Sequence, residues 1–237
     1  MAKITVSVSS LGCSEPSVTV DVAEKNSCLL VGLQSWYDLE DAKDAVGGRA
    51  LTNTNGTAFA AGKTGNAATF TPGSGQSLAY NSPIVTGGEN AFTVAGWVKT
   101  SGTERWKIID LRTYGETCIY RTYGNDLNFT VYDTAHRPVT VAYAGSGEWC
   151  FFSMRYNPTI GSHGRFDYSV KYGTTTNTGS YSPVAVPLSS ECFRIGGTVD
   201  ADARGQVDSA GLWSRALTDA ELLLLWNSGS GLSYSQL

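Results

Sequence analysis

Residues 205–221 read Gly205-Gln-Val-Asp-Ser-Ala-Gly-Leu-Trp-Ser-Arg-Ala-Leu-Thr-Asp-Ala-Glu221 and join a strand to a capped helix. Period-2 alternation puts Val207, Ser209, Gly211 and Trp213 on one face and Asp208, Ala210 and Leu212 on the other, as in one strand of a two-layer sandwich. Thr218 and Glu221 have the spacing of a capping box. The helix expected to follow, Asp219 to Asn227, carries Leu222 to Leu225 and Trp226, with Gly229 placed to stop it. So short an apolar helix should lie against the sandwich.

Upstream of this stretch, short apolar runs alternate with turn clusters, among them Asn53 to Gly56, Pro72 to Gly75, Gly161 to Gly164 and Thr174 to Gly179. Such spacing signals antiparallel strands in a sandwich or jelly roll. The chain has 237 residues, with 27 glycines, 12 tyrosines, 6 tryptophans and 16% charged residues. One aromatic, turn-rich β domain is expected at this length. Before it, Ile4, Val6, Val8 and Val18, Val20, Val22 form two period-2 runs. They read either as edge strands added to the sandwich or as an arm that pairs with another subunit.

Several blocks resemble, in order, the LamG-like jelly-roll domains of the concanavalin A-like superfamily. The closing block is the one quoted above. The opening block is Leu33 to Glu40, and Asp44 to Leu51 matches the family's Asp-x-x-Gly-x-x-x-Leu turn. Gly62-Lys63-Thr64-Gly65-Asn66-Ala67 with Phe70 matches Gly-Lys-x-Gly-x-Ala-x-x-Phe. Phe92 to Lys99, Trp149 to Tyr156 and Phe193 to Gly197 match the middle strands. The resemblance implies an all-β, concanavalin A-like jelly-roll sandwich of two antiparallel sheets with one short C-terminal helix. It implies a division into a β arm or hairpin over 1–27 and a jelly-roll domain over 28–237.

Composition excludes some partners. A net charge of −4 with scattered basic residues does not suit a nucleic-acid backbone. No apolar run is long enough to span a bilayer, and the start, Met-Ala-Lys-Ile-Thr-Val-Ser-Val, has no apolar signal core. Cys13, Cys28, Cys118, Cys150 and Cys192 include no Cys-x-x-Cys pair, so free, mostly buried thiols formed in a reducing compartment are expected.

Candidate chemistry is sparse. Glycoside hydrolysis needs two facing carboxylates, and the superfamily's Glu-x-Asp-x-x-Glu strand is missing, so no catalytic residue is assigned. His136 and His163 sit in turn-like contexts, and Gly62 to Gly65 lacks the glycine loop of a phosphate cradle. By resemblance, Asp38, Glu40 and Asp208 are candidates for a structural Ca2+ site, with backbone bonding or Arg215 as the alternative role for Asp208. For sugar stacking and hydroxyl recognition, Trp106, Tyr123 and Asn125 stand out in an aromatic and polar segment that also holds Arg105, Tyr114, Tyr120, Arg121 and Asp126. Trp97 and Trp213 are expected in the core.

LamG-like modules mostly recognise sugars or proteins outside cells, and here no secretion signal is seen. The resemblance therefore implies a non-catalytic bacteriophage virion surface protein, made in the host cytoplasm and freed by lysis: capsid decoration, head fibre or tail surface. Its partners would be other virion proteins, further copies of itself and cell-surface glycans. The alternatives are an extracellular bacterial carbohydrate-binding module and a glycoside hydrolase.

Overall fold

A computed structural model describes residues 3–5, 19–21, 26–85, 90–100, 105–112, 117–121, 126–143, 145, 147–187, 189–197 and 204–237. In chain order the strands are β1 (Lys3–Thr5), β2 (Thr19–Asp21), β3 (Leu33–Tyr37), β4 (Thr52–Thr54), β5 (Ala58–Ala61), β6 (Asn66–Phe70), β7 (Ser77–Tyr80), β8 (Phe92–Thr100) and β9 (Trp106–Asp110). They continue as β10 (Cys118–Arg121), β11 (Asp126–Tyr132), β12 (His136–Ala142), β13 (Trp149–Asn157), β14 (Arg165–Tyr172), β15 (Thr175–Tyr181), β16 (Phe193–Ile195) and β17 (Gly205–Trp213), and helix α1 (Asp219–Trp226) follows.

Two antiparallel sheets stack, as the sequence predicts. The seven-stranded sheet runs β12, β11, β10, β9, β16, β7, β4, and the eight-stranded sheet runs β15, β14, β13, β8, β17, β6, β5 with β3 paired to β17. Strands β1 and β2 pair with each other, Ile4 opposite Val20, and belong to neither sandwich sheet. Val6, Val8, Val18 and Val22 of the two runs lie outside the described residues.

Alternation builds the core between the sheets. Phe152, Met154 and Tyr156 of β13 and Leu127, Phe129 and Val131 of β11 point into one core, and all are buried. Full burial of side chains this large contributes about 1.5–3 kcal/mol each. Rings stack through the layer, with Phe129 and Tyr168 4.9 Å apart and Tyr156 and Phe166 4.5 Å apart.

Strand β17 departs from simple alternation. Its pairing with β8 shifts register between Asp208 and Gly211, and Ser209 takes φ 48°. This β-bulge inserts one residue. Val207 therefore shares the inner face with Ala210 and Leu212, while Trp213 joins the opposite face. The expected grouping of Val207 with Trp213 is wrong for that reason.

Helix α1 lies on the outer face of the eight-stranded sheet and covers a second cluster that includes Trp36, Trp97, Phe151 and Trp213. The capping box is present, with Glu221 N donating to Thr218 Oγ1 and Thr218 N to Glu221 Oε2. The helix ends sooner than Gly229: Asn227 adopts the left-handed conformation at φ 46° and closes it. Trp226 stacks on Trp97 at 5.0 Å and 18°.

Candidate functional site

Residues directly opposed across an antiparallel pair point to the same side of the sheet. Across β16, β9, β10, β11 and β12 this rule aligns Arg194, Asp110, Cys118, Thr130 and Pro138 in one row. A second row joins Lys107, Asn128 and Thr140 through the register position of residue 120. Their strand neighbours Trp106, Ile109, Ile119, Leu127 and Phe129 fill the core, so both rows face away from it. Lys107 and Asp110 share this side despite their odd spacing because a register shift between Ile119 and Tyr120 leaves an extra residue on β9.

The rows are covered on β9 and β11 and open on β12, where Pro138 and Thr140 are exposed. Asp110 is 0% exposed and Lys107 7%, with Nζ 3.1 Å from Oδ2, and Arg194 Nη1 stands 3.8 Å from the same oxygen. Burial pushes the Asp110 carboxyl above its ordinary value, against the pull of Lys107 and Arg194. Thr140 Oγ1 donates to Asn128 Oδ1 at 2.9 Å. Asp110 Oδ1, Asn128 Nδ2 and Thr130 Oγ1 find no hydrogen-bond partner among the described residues. Buried polar atoms are nearly always matched by protein, water or ligand, and the described residues supply no match for these.

Trp106 is not part of it. The indole is 1% exposed and packs 6.0 Å from Phe70 in the core, because alternation turns Trp106 inward and Lys107 outward. The expected Trp106 stacking platform is corrected accordingly. Tyr123 and Asn125 lie outside the described residues, in the connection between β10 and β11. The sequence reading points to the segment from β9 to β11 and does not single out Lys107, Asp110, Asn128, Thr130 or Arg194. The alternation Leu127-Asn128-Phe129-Thr130-Val131 was a usable signal.

The calcium candidates serve the backbone instead. Asp208 accepts from Lys63 N at 2.7 Å, Thr64 N at 2.9 Å and Ser209 Oγ at 3.1 Å. Glu40 accepts from Asn66 N at 3.0 Å, and Asp38 from Trp36 Nε1 at 2.7 Å and Tyr234 N at 2.8 Å. A Ca2+ ion takes six to eight oxygens, and these carboxylates are directed at N–H donors. Among the described residues no three His, Cys, Asp or Glu side chains gather as a metal site. Asp38, Glu40 and Asp208 therefore do not fit the ion.

The same contacts explain the motif glycines. A Cβ on Gly62 would sit 2.6 Å from Asp208 Oδ2, and one on Gly65, at φ +65°, would collide with Glu40 Oε1. The turn is pressed onto two carboxylates, so side chains are excluded there. Asp44 plays the equivalent part in its own turn, accepting from Ser35 Oγ and from the N–H groups of Trp36, Val46 and Gly47. Of the four described cysteines, Cys118, Cys150 and Cys192 are buried and Cys28 is half-buried.

Comparison with known proteins agrees with this architecture. The binding domain of Paraclostridial Mosquitocidal Protein 1 superposes with a TM-score of 0.68 at 13% identity, over 88% of this chain and 53% of that one. The binding domain of botulinum neurotoxin serotype D gives 0.62 at 12% identity, over 83% and 51%. This chain spans about half the length of both. Domain 4 of AbnA, a GH43 extracellular arabinanase from Geobacillus stearothermophilus solved in complex with arabinotriose, gives 0.55 at 17% identity, over 84% and 98%. Identities this low establish likeness of fold. No curated protein matches the sequence. A family model described as the concanavalin A-like lectin/glucanases superfamily matches residues 72–223, well over half the chain and all of the polar rows, and the chain belongs to that superfamily.

Proposed function

We propose that the protein is a non-catalytic glycan-adhesion module that holds saccharide hydroxyls on the outer face of the seven-stranded sheet. The observation that carries this is the double row of side chains in which Lys107, Asp110, Asn128 and Thr130 are buried and Asp110, Asn128 and Thr130 keep hydrogen-bonding atoms unmatched among the described residues. The arabinotriose complex of AbnA domain 4 and the SialylT complex of a botulinum neurotoxin binding domain support sugar recognition by this fold. Hydrolysis is disfavoured because it needs two carboxylates about 5 or 6.5–9.5 Å apart, and the two rows contain one, Asp110. A glycan array followed by calorimetry on the full chain tests the reading. Binding of a neutral oligosaccharide, weakened at least tenfold by Asn128→Ala, is expected; no glycan binding, or binding indifferent to Asn128, sinks it.

A second reading concerns where the module works. Among the described residues β1 and β2 pair with each other and with neither sandwich sheet, which supports an attachment arm. This supports a virion surface protein, on the capsid, head fibre or tail, whose arm docks onto other virion proteins or further copies of the chain. The arabinanase domain supports the alternative, an extracellular bacterial carbohydrate-binding module. Light scattering on the full chain and on residues 26–237 separates them. Oligomers formed only by the full chain favour the arm, and monomers in both cases remove it.

A further inference from the structure

The opposite face of the sandwich carries a different chemistry. Beside α1 a cavity of about 430 Å3 is lined by Lys63, Lys99, Glu148, Trp149 and Trp226, with turn glycines at 147, 173 and 229. Gly147 and Gly173 adopt φ +92° and +51°, and a Cβ on either would meet nothing within 4 Å. The rim is therefore low and open on those sides.

Its cations are held in an unusual way. Lys63 Nζ lies 4.7 Å from the centroid of the Trp97 ring, and Lys171, from the adjoining groove, reaches to 5.6 Å from that of Trp226. A ring face attracts an ammonium group but leaves most of its N–H donors unspent. Lys171 gives one of them to Thr176 Oγ1 at 2.7 Å. None of Lys63, Lys99 and Lys171 is paired with a carboxylate among the described residues. The arginines of the same face are paired: Arg155 with Asp219 at 2.7 Å, and Arg165 with Asp167 at 2.6 Å. Three uncompensated ammonium groups around one tryptophan cluster are conspicuous in a chain of net charge −4. Among the described residues Glu148 is the one carboxylate lining the cavity and opposes them, leaving a positive balance there.

We infer that this cavity binds an acidic saccharide, with a carboxylate or sulfate on Lys63 and Lys99 and a sugar ring against Trp149. Trp149 is half-buried and lines the cavity, whereas Trp97 is 1% exposed. The volume falls in the range of small-ligand sites. A concave site with its aromatics set into the wall suits a compact ring and not a bilayer surface, which apolar side chains would have to enter. The site is separate from the polar rows of the seven-stranded sheet and does not depend on them.

Calorimetry on the full chain at low ionic strength tests the inference with three hexasaccharides: oligogalacturonate, chondroitin sulfate and maltohexaose. At least one acidic sugar binds tenfold or more tighter than maltohexaose and weakens with added salt, and which of the two binds tells carboxylate from sulfate. Lys63→Gln/Lys99→Gln and, separately, Trp149→Ala weaken it at least tenfold with the melting temperature nearly unchanged. Asn128→Ala, on the other face, leaves it intact. The inference is overturned if neither acidic sugar exceeds maltohexaose, or if the double lysine variant binds like wild type. Loss of the binding in Asn128→Ala overturns it too, as does binding to phosphatidylserine vesicles without binding to either acidic sugar.

Discussion

Arg215 and Glu221 meet fork to fork, Nη1 2.9 Å from Oε2 and Nη2 2.6 Å from Oε1. The same guanidinium donates to the carbonyls of Cys28 and Val31, so one side chain ties the helix start to the turn that precedes β3. Arg215 holds the Glu221 carboxyl down at about 2, from an ordinary 4.5. A depressed carboxyl stabilises the fold above its unfolded value and loses that effect as pH falls through the folded one. Glu221→Gln should cost about 2 kcal/mol at pH 7, and the gap from wild type should close between pH 4.5 and 2. Urea midpoints across that range check this, and a gap that stays constant refutes it.

Asp208 has the opposite sign. Burial raises its carboxyl to about 6 despite three donors that favour the charged form. The folded state then takes up a proton between pH 6 and 3.8 that the unfolded chain does not. The contribution is full below pH 3.8 and lost as pH rises through 6. Asp208→Asn, whose amide oxygen can still accept from Lys63 and Thr64, should flatten this part of the stability profile. Melting temperatures at pH 7 and 5 decide it: an equal pH response in both proteins rules the assignment out.

Lys107 and Asp110 are mutually dependent. Asp110→Ala leaves a nearly buried ammonium without its carboxylate and should cost about 3–5 kcal/mol. Asp110→Leu combined with Lys107→Met should recover most of that. Chemical denaturation of the four proteins in the cycle gives the coupling; additive losses would show that the pair does not act as a unit.

Trp106 and Asn128 separate stability from recognition. Trp106→Phe loses ring contacts in the core but also removes an indole N–H with no partner among the described residues, so its cost should stay below about 1.5 kcal/mol. Saccharide affinity should not change. Asn128→Ala should do the reverse, lowering affinity with little change in melting temperature. A sugar-binding defect in Trp106→Phe would contradict the placement of the site.

Much of the architecture was legible because it rests on local rules. Thr218 and Glu221 announce the capping box, and the motif acids Asp44 and Asp208 announce turns that need a buried acceptor. Their partners were not legible: Asp208 meets Lys63 across 145 positions, and nothing local says which backbone a carboxylate will find. The bulges caused the other misreadings. Ser209 moved Trp213 to the helix side, and the extra residue on β9 brought Asp110 beside Lys107. Trp106 was misread because an aromatic among polar residues looks like a sugar platform, whereas its strand position fixes it inward.

Strand β17 occupies the middle of its sheet, hydrogen-bonded to β8, β6 and β3, yet it is translated after every other strand. While the ribosome is still upstream of Gly205, the sheet is split in two, and β8 and β6 expose facing edges. A nascent or truncated chain in that state offers a slot that any stray extended segment can fill. Correct assembly of this protein therefore depends on the speed with which its own last strand arrives, and chaperone demand should peak just before it emerges.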